Sequence, residues 1–313
     1  MKYAIISDIH GNHPALIAAL ADVEKQKVDK TLFLGDYYMG LPWGNEVVAT
    51  IRKLDSTIVI RGNQEGYLAK LRVQDQREWT HEQNGMLYWS YRALSLENLE
   101  FLSELPETNV ISDGDSNIYI AHSSDVFFRV PKIKSFHSST FCALIEEAPF
   151  THEEYLVFAS EEVLSYADVR SDINALSEGV YLFGHNHLQF HMSYNDRLFV
   201  NPGSCGFAYD FDPPVSYTLL ERTGNDWIVT ERRVNYSVSS VVEKLHSSGF
   251  SKETPEWSKI IERSLLEGRD YLTPFTRHIA ETGLMFGQTE MPVNNGVWDA
   301  AIKTWDADKA YSF

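Results

Sequence analysis

Five short stretches place oxygen and nitrogen donors directly after apolar runs: Asp8-Ile9-His10, Gly35-Asp36, Gly62-Asn63, Ala121-His122 and Gly184-His185-Asn186-His187. The candidate donors among them, Asp8, His10, Asp36, Asn63, His122, His185 and His187, are two carboxylates, four imidazoles and one carboxamide. That set suits divalent or trivalent metals such as Mn, Fe, Zn, Ni or Co. One motif alone carries little weight, because a lone His after a strand, such as His122, is more often structural than catalytic. Five in series bring enough donors for a pair of metals in one small volume.

The preceding runs, residues 3–7, 31–34, 57–60, 118–121 and 180–183, read as buried strands. Residues at strand ends lie along one sheet edge, so the donors can converge there. The gaps from Asp8 to Asp36 and from Asp36 to Asn63 are nearly equal. Each is long enough for the helix and strand of a βαβ unit. Pro14 suits a first helical turn, with Asn12 or His13 as its cap and residues 15–23 following. Residues 45–54 read as the next helix. Residues 65–105 are mostly helical, with Leu87, Tyr91, Leu94, Leu99 and Leu102 facing a core.

Residues 124–178 exceed a simple connection and carry Phe127, Phe128, Phe136, Phe141 and Phe150, then a helical stretch over 160–176. Lying between two donor motifs, the segment is either a lid or wall beside the site or a packed peripheral insert. Strands dominate again over 181–183, 189–193, 197–200, 216–221 and 227–233, with Gly224-Asn225-Asp226 as a hairpin turn. Residues 241–245 and 257–266 read as amphipathic helices, with Gly249 as a stop between them. Trp298 and Trp305 imply that residues 268–313 pack on something.

At 313 residues, the chain fits one large domain or one domain with an appendage. Hydrophobic residues at 43% and charged residues at 23% are ordinary for a globular protein. No apolar run approaches the ~20 residues of a membrane span. Asp8 interrupts the N-terminal apolar stretch, which argues against a signal peptide. Cys142 and Cys205 show no pairing pattern, so both read as packed thiols in a reducing, cytoplasmic setting. The net charge of −17, with no Lys/Arg run, argues against a nucleic-acid polymer as the main partner. A phosphate ester can still bind such a protein where metals reverse the local field.

Taken together, the motifs resemble those of the calcineurin-like metallophosphoesterases: D-x-H, GD, GN-H-D/E, a lone His, then GH-x-H. The resemblance covers roughly residues 1–235. The opening Asp8-Ile9-His10-Gly11-Asn12 and the later Asn201-Pro202-Gly203-Ser204 are similar to the bacterial and archaeal predicted-phosphodiesterase branch. This implies an α/β fold, a four-layer α-β-β-α sandwich of two mixed sheets. It implies a catalytic domain over 1–235 and a helical extension over 236–313 packed on it.

Carried over by motif, Asp8, His10 and His187 would hold one metal, Asn63, His122 and His185 the other, and Asp36 would bridge. Asp36, Asn63 and His122 then belong to the catalytic machinery. A water between two metals loses a proton near neutral pH, and that hydroxide is the expected nucleophile. Asn12, Arg61 and Gln64 are the expected substrate contacts, with helix capping an equal role for Asn12 and a solvated surface position an equal one for Arg61.

The chain departs from the pattern at Gln64, where the family usually has His. Gln donates a hydrogen bond but is no general acid. General acid catalysis is typically worth ~10²–10⁴-fold, most for poor leaving groups. Gln64 thus tilts the reading toward good leaving groups. The other histidines, His13, His81, His137, His152, His191, His246 and His278, read as surface or packing residues. The expected activity is a phosphodiesterase on a small or nucleotide-like phosphate ester. The alternatives are a dinucleoside polyphosphate hydrolase, a protein serine/threonine phosphatase and a non-catalytic metal-binding scaffold. Oligomeric state, including a homo-oligomer, is left open.

Overall fold

The protein is described here by a computed structural model over residues 1–311. The first part of the chain runs β1 (Lys2–Ile6), α1 (His13–Gln26), β2 (Lys30–Phe33), α2 (Gly44–Ile51), β3 (Thr57–Val59), α3 (Asn63–Arg72), α4 (Gly85–Ala93), α5 (Leu96–Glu104), β4 (Thr108–Asp113) and β5 (Ser116–Ala121). Next come α6 (Ser138–Glu147), α7 (His152–Ser165), α8 (Ala167–Ala175), β6 (Gly179–Leu182), β7 (Gln189–Tyr194), β8 (Arg197–Pro202), β9 (Val215–Thr223) and β10 (Asp226–Val234). The remainder is helical: α9 (Val238–Ser247), α10 (Gly249–Glu253), α11 (Pro255–Glu267), α12 (Leu272–Met285) and α13 (Asn295–Thr304).

The strands form two five-stranded mixed sheets, ordered β10-β9-β1-β2-β3 and β4-β5-β6-β8-β7. In the first, β1, β2 and β3 are parallel. In the second, β5, β6 and β8 are parallel. The period-two alternation of a strand decides the layers. Tyr3 and Ile5 meet Ile118, Ile120, Val180, Leu182 and Val200 in a core between the sheets. Ala4, Ile6 and Phe33 face the other way, onto Ala15, Leu16, Val47 and Val48 of the helices. Tyr181, Phe183 and Phe199 likewise face outward, onto Phe136, Phe141, Val163 and Ile173. The result is the four-layer α-β-β-α sandwich.

Trp257, Phe275 and Trp298 join the same outer core as Phe183. Trp257 stacks on Trp298 at 5.7 Å between centroids, and Trp305 lies 5.2 Å from Phe275. The partner of the C-terminal tryptophans is therefore their own helical layer and, through it, the second sheet. Gly249 does not simply stop a helix. It opens the short α10, with Ser248 capping that helix through Ser251 N–H. Strand β4 carries no apolar run and is visible only in its pairing with β5. Cys142 and Cys205 are buried and unpaired. Among the described residues, no helix is long and apolar enough to cross a membrane.

Candidate metal centre

Parallel pairing sends the C-terminal ends of β1, β2 and β3 to one edge, and those of β5 and β6 likewise. The donor loops leave from these ends. Asp8, His10, Asp36, His185 and His187 all have left-handed backbone, with φ between 52° and 75°. Such positions are sparsely populated by non-glycine residues and persist only where the surroundings fix them. Here the loops are tied to one another. Asp8 N–H donates to Gly35 O at 3.1 Å, His10 N–H to Asp36 O at 3.0 Å, and Gly184 N–H to His122 O at 2.8 Å. His185 N–H donates to Asp8 Oδ2 at 3.0 Å.

Two donor groups result: Asp8, His10 and His187, and Asp36, His122 and His185. All are buried except His185. Asp36 Oδ2 lies 3.5 Å from His122 Nε2 and 3.9 Å from His10 Nε2, so it faces both groups. Asn63 Oδ1 lies 3.0 Å from His122 Nε2. Three rings are held by the nitrogen that does not face the centre. His10 Nδ1 meets Met39 O at 3.1 Å, His122 Nδ1 meets Leu34 O at 2.7 Å, and His187 Nδ1 meets Phe207 O at 2.6 Å. A carbonyl accepts only from Nδ1–H, so Nε2 is the ring atom turned to the centre, where it can bind a metal once it carries no proton.

The arrangement fits metal cations. Asp8 Oδ1 is buried with no hydrogen-bond partner among the described residues. It lies 3.6 Å from His187 Nε2 and 3.9 Å from His10 Nε2. The Nε2 atoms of His10 and His187 face each other at 3.1 Å. Two lone pairs so placed repel unless a cation lies between them, and ligands each ~2.0–2.1 Å from one metal keep about this separation.

The charges respond strongly to burial and to one another. Burial opposes ionisation of Asp36, but His122 and His10 outweigh it and hold the carboxyl well below its usual range. Burial opposes charge on His122, yet Asp36 and Asp8 push its imidazole up to about 10. Burial pushes His187 down to about 4, and burial with neighbouring His122 lowers His185. The metal-free centre therefore carries a proton on His122 at neutral pH. A metal can bind His122 only when that proton leaves. Metal affinity should thus rise with pH up to about 10. Calorimetric titration at pH 8 in two buffers of different ionisation enthalpy should reveal at least one proton released. Identical heats in both buffers would contradict this.

Glycines beside the ligands mark close approach. A Cβ on Gly62 would lie 2.1 Å from Asp36 Oδ1, and one on Gly184 would lie 2.1 Å from Ser7 Oγ and 2.6 Å from Asp8 Oδ2. Gly184→Ala should therefore displace Asp8 and lower bound metal. Elemental analysis of the purified variant checks this, and wild-type stoichiometry would refute it.

The expected substrate contacts fare differently. Asn12 is fully buried and does not line the cavity at the centre. Its Oδ1 caps α1 through Ala15 N–H at 3.2 Å, and its Nδ2 donates to Gly206 O and Tyr236 Oη at 3.0 and 3.1 Å. With both ends of the amide engaged, it cannot reach a phosphate. Arg61 is also absent from the cavity wall and pairs with Glu107 instead. Gln64 does reach the wall, but its amide is committed. Nε2 donates to Tyr38 O at 2.9 Å and Met39 O at 3.3 Å, while Oε1 accepts from His10 Nδ1–H at 2.8 Å. Gln64 positions His10, a candidate metal ligand. Gln64→Leu should weaken metal binding by roughly 10–100-fold, as losses of such outer partners do. Competition against a fluorescent chelator measures it, and unchanged affinity would refute the role. Asn201 and Ser204 are fully buried too. They brace the loops through Gly184 O at 2.9 Å and Asp8 O at 2.7 Å.

Sequence reasoning missed Glu65. Its buried carboxylate accepts from the N–H groups of Asp36, Tyr37 and Gly62 at 3.0, 3.0 and 2.7 Å, joining the Asp36 loop to the Asn63 loop. Its signal was present: an acid at the third position of a helix reaches back to the capping residue. Tyr209 was missed as well. It stacks on His187 at 4.4 Å with planes 7° apart.

The centre opens into a cavity of ≈ 480 Å³. Its walls come from Phe136–Thr140 of the long insert, from Tyr209, and from Leu272, Thr273 and Arg277 of α12. The insert and the C-terminal helices thus both shape the space in front of the ligands.

Comparison with known proteins agrees with this geometry. The calcineurin-like phosphoesterase superfamily domain matches residues 1–225. An uncharacterized protein of Methanocaldococcus jannaschii is 24% identical over 257 residues, covering 81% of this chain and 94% of its own. The fold is shared with a metallophosphoesterase from Sphaerobacter thermophilus, with TM-score 0.59 and 22% identity over 86% of this chain and 99% of that one. It is shared also with a hypothetical protein from Pyrococcus horikoshii, with TM-score 0.55 and 20% identity over 83% and 97% of the two chains. With its donor motifs in series at the edges of two mixed sheets, the chain belongs to the calcineurin-like phosphoesterase superfamily.

Proposed function

We propose that the protein is a two-metal phosphodiesterase acting on a small or nucleotide-like phosphate ester. The carrying observation is the pair of donor groups, Asp8/His10/His187 and Asp36/His122/His185, of which His10, Asp36, His185 and His187 line one cavity. Asp36 lies between them and would bridge the metals. Asn63 joins the second group beside His122. Bound metals would supply an acidified water and draw charge from the phosphoryl oxygens.

The residues' own work is to hold that assembly rigid and admit one class of substrate. The Nδ1 anchors of His10, His122 and His187 fix ring orientation. Glu65 fixes the spacing of the Asp36 and Asn63 loops. The cavity volume of ≈ 480 Å³ is that of a small-molecule site, typically ~300–1,000 Å³. It favours a nucleotide-sized ester over a protein chain. The retained ligand set argues against a pure scaffold, which has no use for a buried carboxylate oxygen without a hydrogen bond among converging imidazoles. Residues 1–235 would form the catalytic unit, and the helices beyond would complete its wall.

A panel with Mn tests the reading: aryl phosphodiesters, aryl monoesters, dinucleoside polyphosphates and phosphopeptides. Diesters or dinucleoside polyphosphates should have the highest kcat/KM. Preference for phosphopeptides would point to the protein phosphatase instead, and no turnover of any would point to the scaffold.

A further inference from the structure

Among the described residues, the cavity lining has one imidazole outside the two donor groups, that of His137. We propose that His137 is the general acid that protonates the leaving oxygen. The inference rests on the phosphoesterase reading above and supplies what that reading lacks. The residue after Asn63, where related enzymes have a histidine, is Gln64. It has no acidic proton, and its amide is consumed by Tyr38 O, Met39 O and His10. The imidazoles of His10, His185 and His187 face the same cavity as metal-ligand candidates. Such rings must be neutral and bound through nitrogen, so they have no proton to give at that atom.

His137 is differently placed. It is exposed, precedes α6 as its capping residue, and its side chain takes no part in capping. Its backbone is fixed, with N–H donating to Lys134 O at 3.1 Å and its carbonyl accepting from Phe141 N–H at 2.9 Å. The neighbouring Phe136 is buried against Phe183 and Phe190, which anchors the loop to the second sheet. The ring is thus carried by a rigid support yet free to meet a ligand. It lines the same cavity as His10, Asp36, Asn63, His185 and His187, together with Asp125, Tyr209 and Arg277. Tyr209 is a poor rival, because burial raises its phenol well above the ordinary value.

The step balances simply. As the bond from phosphorus to the leaving oxygen breaks, its electron pair goes to that oxygen. The imidazolium of His137 gives the oxygen its N–H proton and becomes neutral. The proton lost by the attacking water restores it through solvent.

The test compares wild type, His137→Gln and His137→Ala, all loaded with Mn, on diesters whose leaving groups run from nitrophenol to alkyl alcohol. For the alkyl end, kcat/KM should fall roughly 10²-fold, while the nitrophenyl diester should change less than about threefold, since a good leaving group needs no proton. The dependence of rate on leaving-group basicity should steepen. Added imidazole should restore part of the alkyl activity of His137→Ala. Bound metal should stay at the wild-type level. A second readout needs no turnover: in the zinc-loaded protein, inorganic phosphate should raise the NMR titration midpoint of the His137 ring. Equal losses along the series, or a His137 midpoint untouched by phosphate, would overturn the assignment while leaving the phosphoesterase reading standing. If the wild-type protein hydrolyses no member of the series, both fall together.

Discussion

Asp36→Asn should abolish most of the activity and empty both metal positions. Asp36 is 2% exposed, and its Oδ2 faces the Nε2 atoms of His122 and His10 from 3.5 and 3.9 Å. Two cations a few ångströms apart repel, and an anion shared between them offsets that repulsion. Asn keeps the size and can still accept from Gln64 N–H, a bond of 3.0 Å in the native site. The fold should therefore survive while the charge is lost. The expected fall in kcat/KM is at least roughly 10³-fold, the upper range for removing one preorganised electrostatic group. Elemental analysis should show metal content well below that of wild type. Wild-type metal content with near-normal turnover would refute the bridging role.

Glu65→Ala should cost more stability than any ligand substitution. The carboxylate is 1% exposed and is the shared acceptor for three backbone N–H groups. Alanine leaves all three donors buried and unpaired, at about 1–3 kcal/mol each. That is a large share of a total stability of about 5–15 kcal/mol. At about 2–4 °C per kcal/mol for a chain of this class, the melting midpoint should drop by roughly 10 °C or more. Metal affinity should fall with it, because the Asp36 and Asn63 loops lose their common anchor. Glu65→Gln, which keeps one acceptor oxygen, should lie between. A melting midpoint within a degree or so of wild type, with unchanged metal binding, would show that the loops hold themselves.

The convergence of the donor residues was far more legible in the sequence than the cavity wall, and the reason is physical. A ligand after a buried strand is announced locally: Val180, Tyr181, Leu182 and Phe183 alternate between two cores just before Gly184. The parallel pairing that brings such ends together follows from the βαβ spacing. Strand β4 was not legible, because its burial alternates only between exposed and half-buried, and its side chains are mostly polar. Gln64 and Glu65 were visible as residue types, but their roles depend on carbonyls and N–H groups of a loop 25–30 positions away. The cavity wall was hidden for the same reason on a larger scale. His137 and Leu272 line the cavity only because α6 and α12 join the outer core that covers the second sheet, a contact between distant segments that no local pattern records. His137 accordingly read as an ordinary surface histidine, and Asn12 as a residue with two open roles, of which the structure leaves only capping.

The most direct test of the central claim is turnover of an aryl phosphodiester as chelator-treated protein is titrated with Mn, with bound metal measured at each point. Activity should be absent without metal and should rise in step with occupancy of two positions per chain. Hydrolysis that survives complete metal removal, or two tightly bound metals with no hydrolysis of any phosphate ester, would contradict it.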